Sequence, residues 1–206
     1  MPTAKKPASA QSARGRATPK AAAKAAPAAV AKQSPATATA KKSPAGAGVE
    51  AAALAGRPAP DFTLPNQDGE PVSRAALIAR GGLVIYFYPK DMTPGCTVEA
   101  CGFRDGIGQI RALGAQIVGV SADPPAAHRR FIDKHALNFP LLSDPDHRMT
   151  TAYGVYKKKS LYGREYMGIE RTTFIIGRDG IVKKVFPKVR VNGHVEEVIA
   201  ALKPPD

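Results

Sequence analysis

The chain has 206 residues, enough for one well-buried domain with an appendage and too few for two domains with a long tail. Its 30 Lys and Arg against 17 Asp and Glu leave a net charge of +13, but nine of the basic residues and no acidic one precede Glu50, so the rest of the chain carries 21 against 17. No stretch approaches the roughly 18 apolar residues that span a bilayer, the N-terminus lacks the compact apolar core of a secretory signal, and two neighbouring cysteines do not make a disulfide framework, which together point to a reducing, cytoplasmic setting.

Residues 1–49 are low-complexity, with fragments such as TPKAAAKAAPAA and KKSPAG, and after Met1 hold no aromatic residue and no aliphatic one larger than valine. Such a segment cannot bury enough surface to offset its chain entropy and is expected to be disordered. A flexible polycation attaches to phosphate backbones without reading sequence, so residues 1–48 are a candidate nucleic-acid tether that would place the protein at a nucleoid or nucleus. An organellar targeting peptide and an inert solvated tail stay open beside that reading. The folded domain is expected over residues 50–206.

Residues 50–55 suggest a short helical lead-in, and prolines 58 and 60 keep the next segment extended. Asn66-Gln67-Asp68-Gly69-Glu70 has the composition of a turn, so this region predicts an opening β-hairpin. Ser73 can cap a short helix that Gly81-Gly82 ends. Residues 83–88 (LVIYFY) then read as a strand buried on both faces, stopped by Pro89, which has no N–H for a ladder. Thr93-Pro94-Gly95 leads into a helix expected to reach about Leu113, with Cys96 in its first turn. Unpaired N–H groups and the positive end of the helix dipole favour an anion there, and therefore a nucleophilic thiolate.

Residues 115–121 (AQIVGVS) form the next buried strand, in a βαβ unit whose default is parallel pairing. Asp123 is a plausible N-cap for a helix to about His135. Both His128 and His135 invite a catalytic reading, but His128 stands among Ala126, Ala127, Arg129 and Arg130, the pattern of a solvated helix face. Residues 139–142 predict a short strand, and the Ser-Asp-Pro-Asp run at 143–146 caps a helix to about Tyr153. The charge run over 156–166 reads as a solvated loop or strand edge with no site. Residues 169–176 predict a strand, joined through Gly177-Arg178-Asp179-Gly180 to residues 181–186 as a hairpin, and residues 195–202 a closing helix. Arg171 is unusual at the start of a core strand, and from residue type alone it could simply pair with a carboxylate at the sheet edge.

An isolated cysteine is more often a small buried apolar residue than a nucleophile. Here the strand-to-turn context, Thr93 and a second cysteine five residues on argue for chemistry, whereas zinc would need four ligands and a CxxC motif is absent. The string YFYPKDMTPGCTVEACGFRD resembles the active-site segment of the peroxiredoxins, with their PxxxTxxC pattern, and its Cys-x4-Cys spacing is similar to that of the peroxiredoxin Q, or bacterioferritin comigratory protein, subfamily. The likeness covers roughly residues 56–202, including PDFTLPNQDG, HRRFIDKHALNFPLLSDPDHRMTTAYGV and GIERTTFII, and excludes the tail.

That resemblance implies an α/β, thioredoxin-like fold: a mixed central sheet with helices on both faces and an N-terminal β-hairpin. It implies a thiol peroxidase acting on hydrogen peroxide and organic hydroperoxides, without metal, haem, flavin or other cofactor. Matched residue by residue, Cys96 takes the peroxidatic role, Arg171 contacts it and binds the peroxide oxygens, Thr93 orients the substrate and Pro89 shields the sulfur. Cys101 takes the resolving role through an intramolecular disulfide, which thioredoxin or a similar dithiol would reduce. On an intact helix, positions five apart lie about 7.5 Å apart along the axis and about 140° apart in azimuth, so the first turns must unwind before such a bond can close. Gly102, Gly106 and Gly108 are expected to ease that unwinding. An internal resolving pair removes one need for a dimer, and a monomer is expected. A nucleic-acid-binding protein that works through its tail, with the domain as scaffold or redox sensor, is the rival reading.

Overall fold

A computed structural model describes residues 50–161 and 163–204; the expectations for residues 1–49 lie outside them. A 3-10 turn (Ala51–Leu54) precedes the β1 (Thr63–Pro65) and β2 (Pro71–Ser73) hairpin and helix α1 (Arg74–Ile78). The hydroxyl of Ser73 accepts from the N–H of Ala76, as its place before the helix predicts. Strand β3 (Gly82–Phe87), helix α2 (Pro94–Ala112), β4 (Ala115–Ser121), α3 (Pro125–His135), β5 (Leu141–Ser143) and α4 (Arg148–Ala152) follow. The chain closes with β6 (Tyr156–Leu161), β7 (Arg164–Ile169), β8 (Thr172–Ile176), β9 (Val182–Phe186) and α5 (His194–Leu202).

Five strands form one sheet in the order β5-β4-β3-β8-β9, with β3, β4 and β5 parallel and β8 antiparallel to both β3 and β9. Side chains alternate across a strand, so β3 feeds two cores. Leu83, Ile85 and Phe87 pack with Phe174, Ile176, Met149 of α4 and Leu77 of α1. Val84 and Tyr86 face the other side, with Phe103 and Ile110 of α2, Phe131 of α3 and Val198 of α5. Helices thus cover both faces. Among the described residues no helix is long and apolar enough to cross a membrane.

Several local expectations are corrected. The stretch 169–176 is not one strand: β7 ends at Ile169, and Glu170 and Arg171 form a connection in which the N–H of Glu170 donates to the carbonyl of Val155. The charge run pairs with the following segment as a β6–β7 hairpin, in which Lys157 meets Glu50 and Glu170 and Lys159 donates to the carbonyl of Ile169 at 2.5 Å. Asp123 does not cap α3, since Pro124 holds the N-cap place; its carboxylate instead accepts from the N–H of Asp91 and the hydroxyl of Ser121. His128 is fully buried, not solvated. The glycines of α2 also have a use beyond flexibility. A Cβ at Gly102 or Gly106 would stand 3.0 or 2.9 Å from Val195, so these two let α5 approach closely, while Gly108 faces open space.

Candidate active site

Strand β3 delivers the chain to the centre of the sheet edge. The last pairing there is the N–H of Tyr88 to the carbonyl of Val120, and Pro89 lies exposed just beyond it. Met92 then takes a left-handed conformation (φ 61°), and Thr93, extended, is the N-cap of α2 with Pro94 at N1. The Thr93 hydroxyl does not cap the helix; it donates to the carbonyl of Lys90 at 3.2 Å. Cys96 is the third helical residue. Its N–H precedes the helix's bond from Thr97 N–H to the Thr93 carbonyl, which leaves it among the donors without a regular intrahelical partner.

The Cys96 side chain is 1% exposed, shut from bulk water. Antiparallel pairing of β8 with β3 sets Phe87 opposite Thr172, so the residue before β8, Arg171, arrives beside the helix start. Arg171 Nη2 donates to Cys96 Sγ at 3.3 Å. Gly95 makes room for this, because a Cβ there would stand 3.3 Å from Nη2. The other guanidinium nitrogen, Nη1, pairs with Oε2 of Glu99. Burial opposes charge on Arg171, but Glu99 and Cys96 outweigh it and raise the guanidinium above its ordinary value, so it is cationic at any working pH.

Sequence reasoning missed Glu99. It stands three residues after Cys96, which on a helix places both on one face, and that i,i+3 spacing was the available signal. Its carboxyl is buried, with Oε1 lacking any partner. Burial pushes it up to about 7 against the pull of Arg171. Of the residues singled out from the chain, Cys96, Arg171 and Thr93 therefore gather at the start of α2. Cys101 is half-buried on the same unbroken helix and, like Cys96, is a free thiol. A group of three or more His, Cys, Asp or Glu side chains able to hold a metal is absent among the described residues. His135, the last residue of α3, packs edge-on against Phe131.

A buried thiol facing a fixed cation can carry negative charge on sulfur and on an attacked oxygen without help from water. Known proteins resemble the chain in sequence and in fold. Residues 55–185 match the AhpC/TSA family model. Peroxiredoxin Bcp of Bacillus subtilis is 47% identical over 148 residues, covering 72% of this chain and 94% of its own length, and that of Escherichia coli is 45% identical over 149 residues, covering 72% and 95%. Among solved structures, Xanthomonas campestris peroxiredoxin Q aligns with a TM-score of 0.65 at 42% identity over 68% of this chain and 89% of its own, and peroxidoxin BcpB of Mycobacterium tuberculosis with 0.65 at 37% over 72% and 95%. A further Xanthomonas structure is described in terms of alkyl peroxide reduction by its bacterioferritin comigratory protein. With the site geometry, the family match and these relatives in agreement, the chain belongs to the AhpC/TSA family as a peroxiredoxin of the Bcp/peroxiredoxin Q kind, a thiol-dependent peroxidase with a thioredoxin-like fold.

Proposed function

We propose that Cys96 is the sulfur that attacks the hydroperoxide and Cys101 the one that resolves it. The contact of Arg171 Nη2 with the buried Cys96 Sγ at 3.3 Å carries the reading. The thiolate attacks one peroxide oxygen, the O–O bond breaks, and the leaving oxygen takes a proton to give water or an alcohol while Cys96 becomes a sulfenic acid. Arg171 and the Cys96 N–H stabilise charge spread over both oxygens. The Thr93 hydroxyl, whose proton is engaged by Lys90, has lone pairs with which to accept the O–H of the hydroperoxide. Pro89, exposed past the strand end, offers no N–H to compete for the substrate.

Cys101 then attacks the Cys96 sulfur, water leaves, and a disulfide forms within the chain once the first turns of α2 unwind. Thioredoxin or a similar dithiol restores the two thiols, and the cycle runs in a monomer acting on hydrogen peroxide and organic hydroperoxides. Mass spectrometry after one equivalent of peroxide tests this: a Cys96–Cys101 crosslink is expected, absent in Cys96→Ser. In Cys101→Ser the first oxidation survives, dithiol-driven turnover falls and Cys96 overoxidises; unchanged turnover would remove Cys101 from the resolving role.

A second reading concerns the tail, where nine basic and no acidic residues precede Glu50. We propose that it attaches the peroxidase to nucleic acid. Duplex binding should weaken steeply with salt and vanish on deletion of residues 1–48; absence of binding at low salt would reject it.

A further inference from the structure

The loop that presents Thr93 and Cys96 is anchored by a buried polar cluster that the reaction scheme above does not use. Asp91 lies between Pro89 and Thr93, buried, and its N–H and both carboxylate oxygens are engaged. Its N–H donates to Asp123 at 2.9 Å, and Asp123 in turn accepts from the Ser121 hydroxyl at 2.8 Å. Its Oδ1 accepts from the Tyr88 hydroxyl at 2.7 Å, and its Oδ2 stands 2.9 Å from Nδ1 of His128 on α3. The His128 Nε2 is buried with no partner. A proton there would be a stranded donor, whereas a proton on Nδ1 is taken up by Asp91, so the network assigns the Nδ1–H tautomer.

This cluster ties the end of β3 and the first turns of α3 to the Asp91 carboxylate, and the end of β4 to the Asp91 N–H. The next residue, Met92, is 40% exposed, yet it holds the left-handed φ of 61° that turns the chain into the N-cap. A non-glycine residue keeps such a conformation only when its surroundings hold it there. Asp91, bonded to Asp123 on one side, and the Thr93 hydroxyl, bonded back to the Lys90 carbonyl on the other, are the fixed neighbours of Met92.

We propose that the His128–Asp91 pair is a positioning device for the peroxidatic loop, setting Thr93 and the first turn of α2 for attack and marking where the unwinding that follows must begin. The proposal rests on Cys96 as the attacking sulfur. Upstream of Met92 the backbone is bonded to three elements and stays in place. Downstream, α2 is joined to it through the exposed Met92 and through Thr93, whose hydroxyl bonds back to the Lys90 carbonyl, so once that one bond is released the helix start can unwind and bring Cys96 toward Cys101 without disturbing the sheet. The two chemical steps therefore make opposite demands on the anchor: attack on peroxide needs the loop held, and disulfide closure needs only the helix released.

Rapid quenching of the reduced full chain with peroxide, followed by alkylation and mass spectrometry, reads the two steps separately. In His128→Leu, sulfenic acid formation at Cys96 should slow about ten- to a hundredfold, the scale of a small misplacement of reacting groups, while the following disulfide step keeps its rate or quickens. His128→Asn places an amide N–H near the position of Nδ1 and should restore oxidation to within about threefold of the parent, on the premise that a bond of similar strength is remade. General loss of stability does not produce slowing of one step, speeding of the next and rescue by asparagine. Where His128→Leu does not fold, Tyr88→Phe, which removes only the hydroxyl on Oδ1, should slow the first step and spare the second. Oxidation at the parent rate in the folded variant, or equal slowing in the leucine and asparagine variants, overturns the proposal. Peroxide consumption persisting in Cys96→Ser overturns instead the assignment of the sulfur on which it rests.

Discussion

Glu99 is the group through which the site should make itself felt in the stability of the whole fold. Its carboxyl is buried on α2, one oxygen against Arg171 and the other without a partner, and burial raises it from an ordinary 4.5 to about 7. An acid raised in the folded state keeps a proton that the unfolded chain has already lost, so between these two values the unfolded chain binds fewer protons and stability falls as pH rises. The contribution is fully present below pH 4.5 and lost once pH passes about 7. From 4.5 to about 7, at about 1.4 kcal/mol per pH unit, the loss is about 3 kcal/mol. Arg171 stays charged throughout and adds no slope. Glu99→Gln keeps the shape and removes the titration. Urea denaturation of the two reduced proteins across pH 4.5 to 8.5 isolates the effect, because all other titrating groups cancel in the difference. The advantage of the parent over the variant should shrink by about 3 kcal/mol up to pH 7 and then level off. A difference that is flat over this range, or that grows with pH, would refute the reasoning.

Arg171→Gln removes the charged donor beside Cys96 from a connection outside the sheet ladder. The second-order rate of the reduced protein with hydroperoxide should fall about a hundred- to a thousandfold, as when one donor to a developing oxyanion is lost; a drop smaller than tenfold in competition kinetics would separate the guanidinium from the chemistry. Thermal unfolding should divide the glycines of α2. Gly106→Ala drives a methyl to 2.9 Å from Val195 and should cost about 1–3 kcal/mol. Gly108→Ala points into open space and should gain up to about 1 kcal/mol from helix propensity. Equal effects of the two would mean that α5 does not depend on its close approach to α2.

Much of this arrangement is legible along the chain because its causes are local. The run LVIYFY stopped by Pro89, the Thr-Pro-Gly entry to α2, the Ser73 cap and the Gly-Arg-Asp-Gly turn before β9 each act within a turn or two of where they stand, so residue type suffices to place Cys96 at a helix start. Arg171 stands out in the same way, since a charge at the head of an apolar strand calls for an explanation wherever it occurs.

Which groups meet is another matter. His128, flanked by alanines and arginines, carries every local sign of a solvated position, and it is buried because Asp91, 37 residues earlier, lies within hydrogen-bond reach. Glu99 is tolerated in the interior only because β8 brings Arg171 from 72 residues away. The break at Glu170–Arg171 and the seat of α5 on Gly102 and Gly106 are likewise set by contacts between distant segments. Period and propensity are short-range properties of a chain, whereas the cost of burying a polar side chain depends on the partner that packing supplies, and that partner is absent from the local pattern.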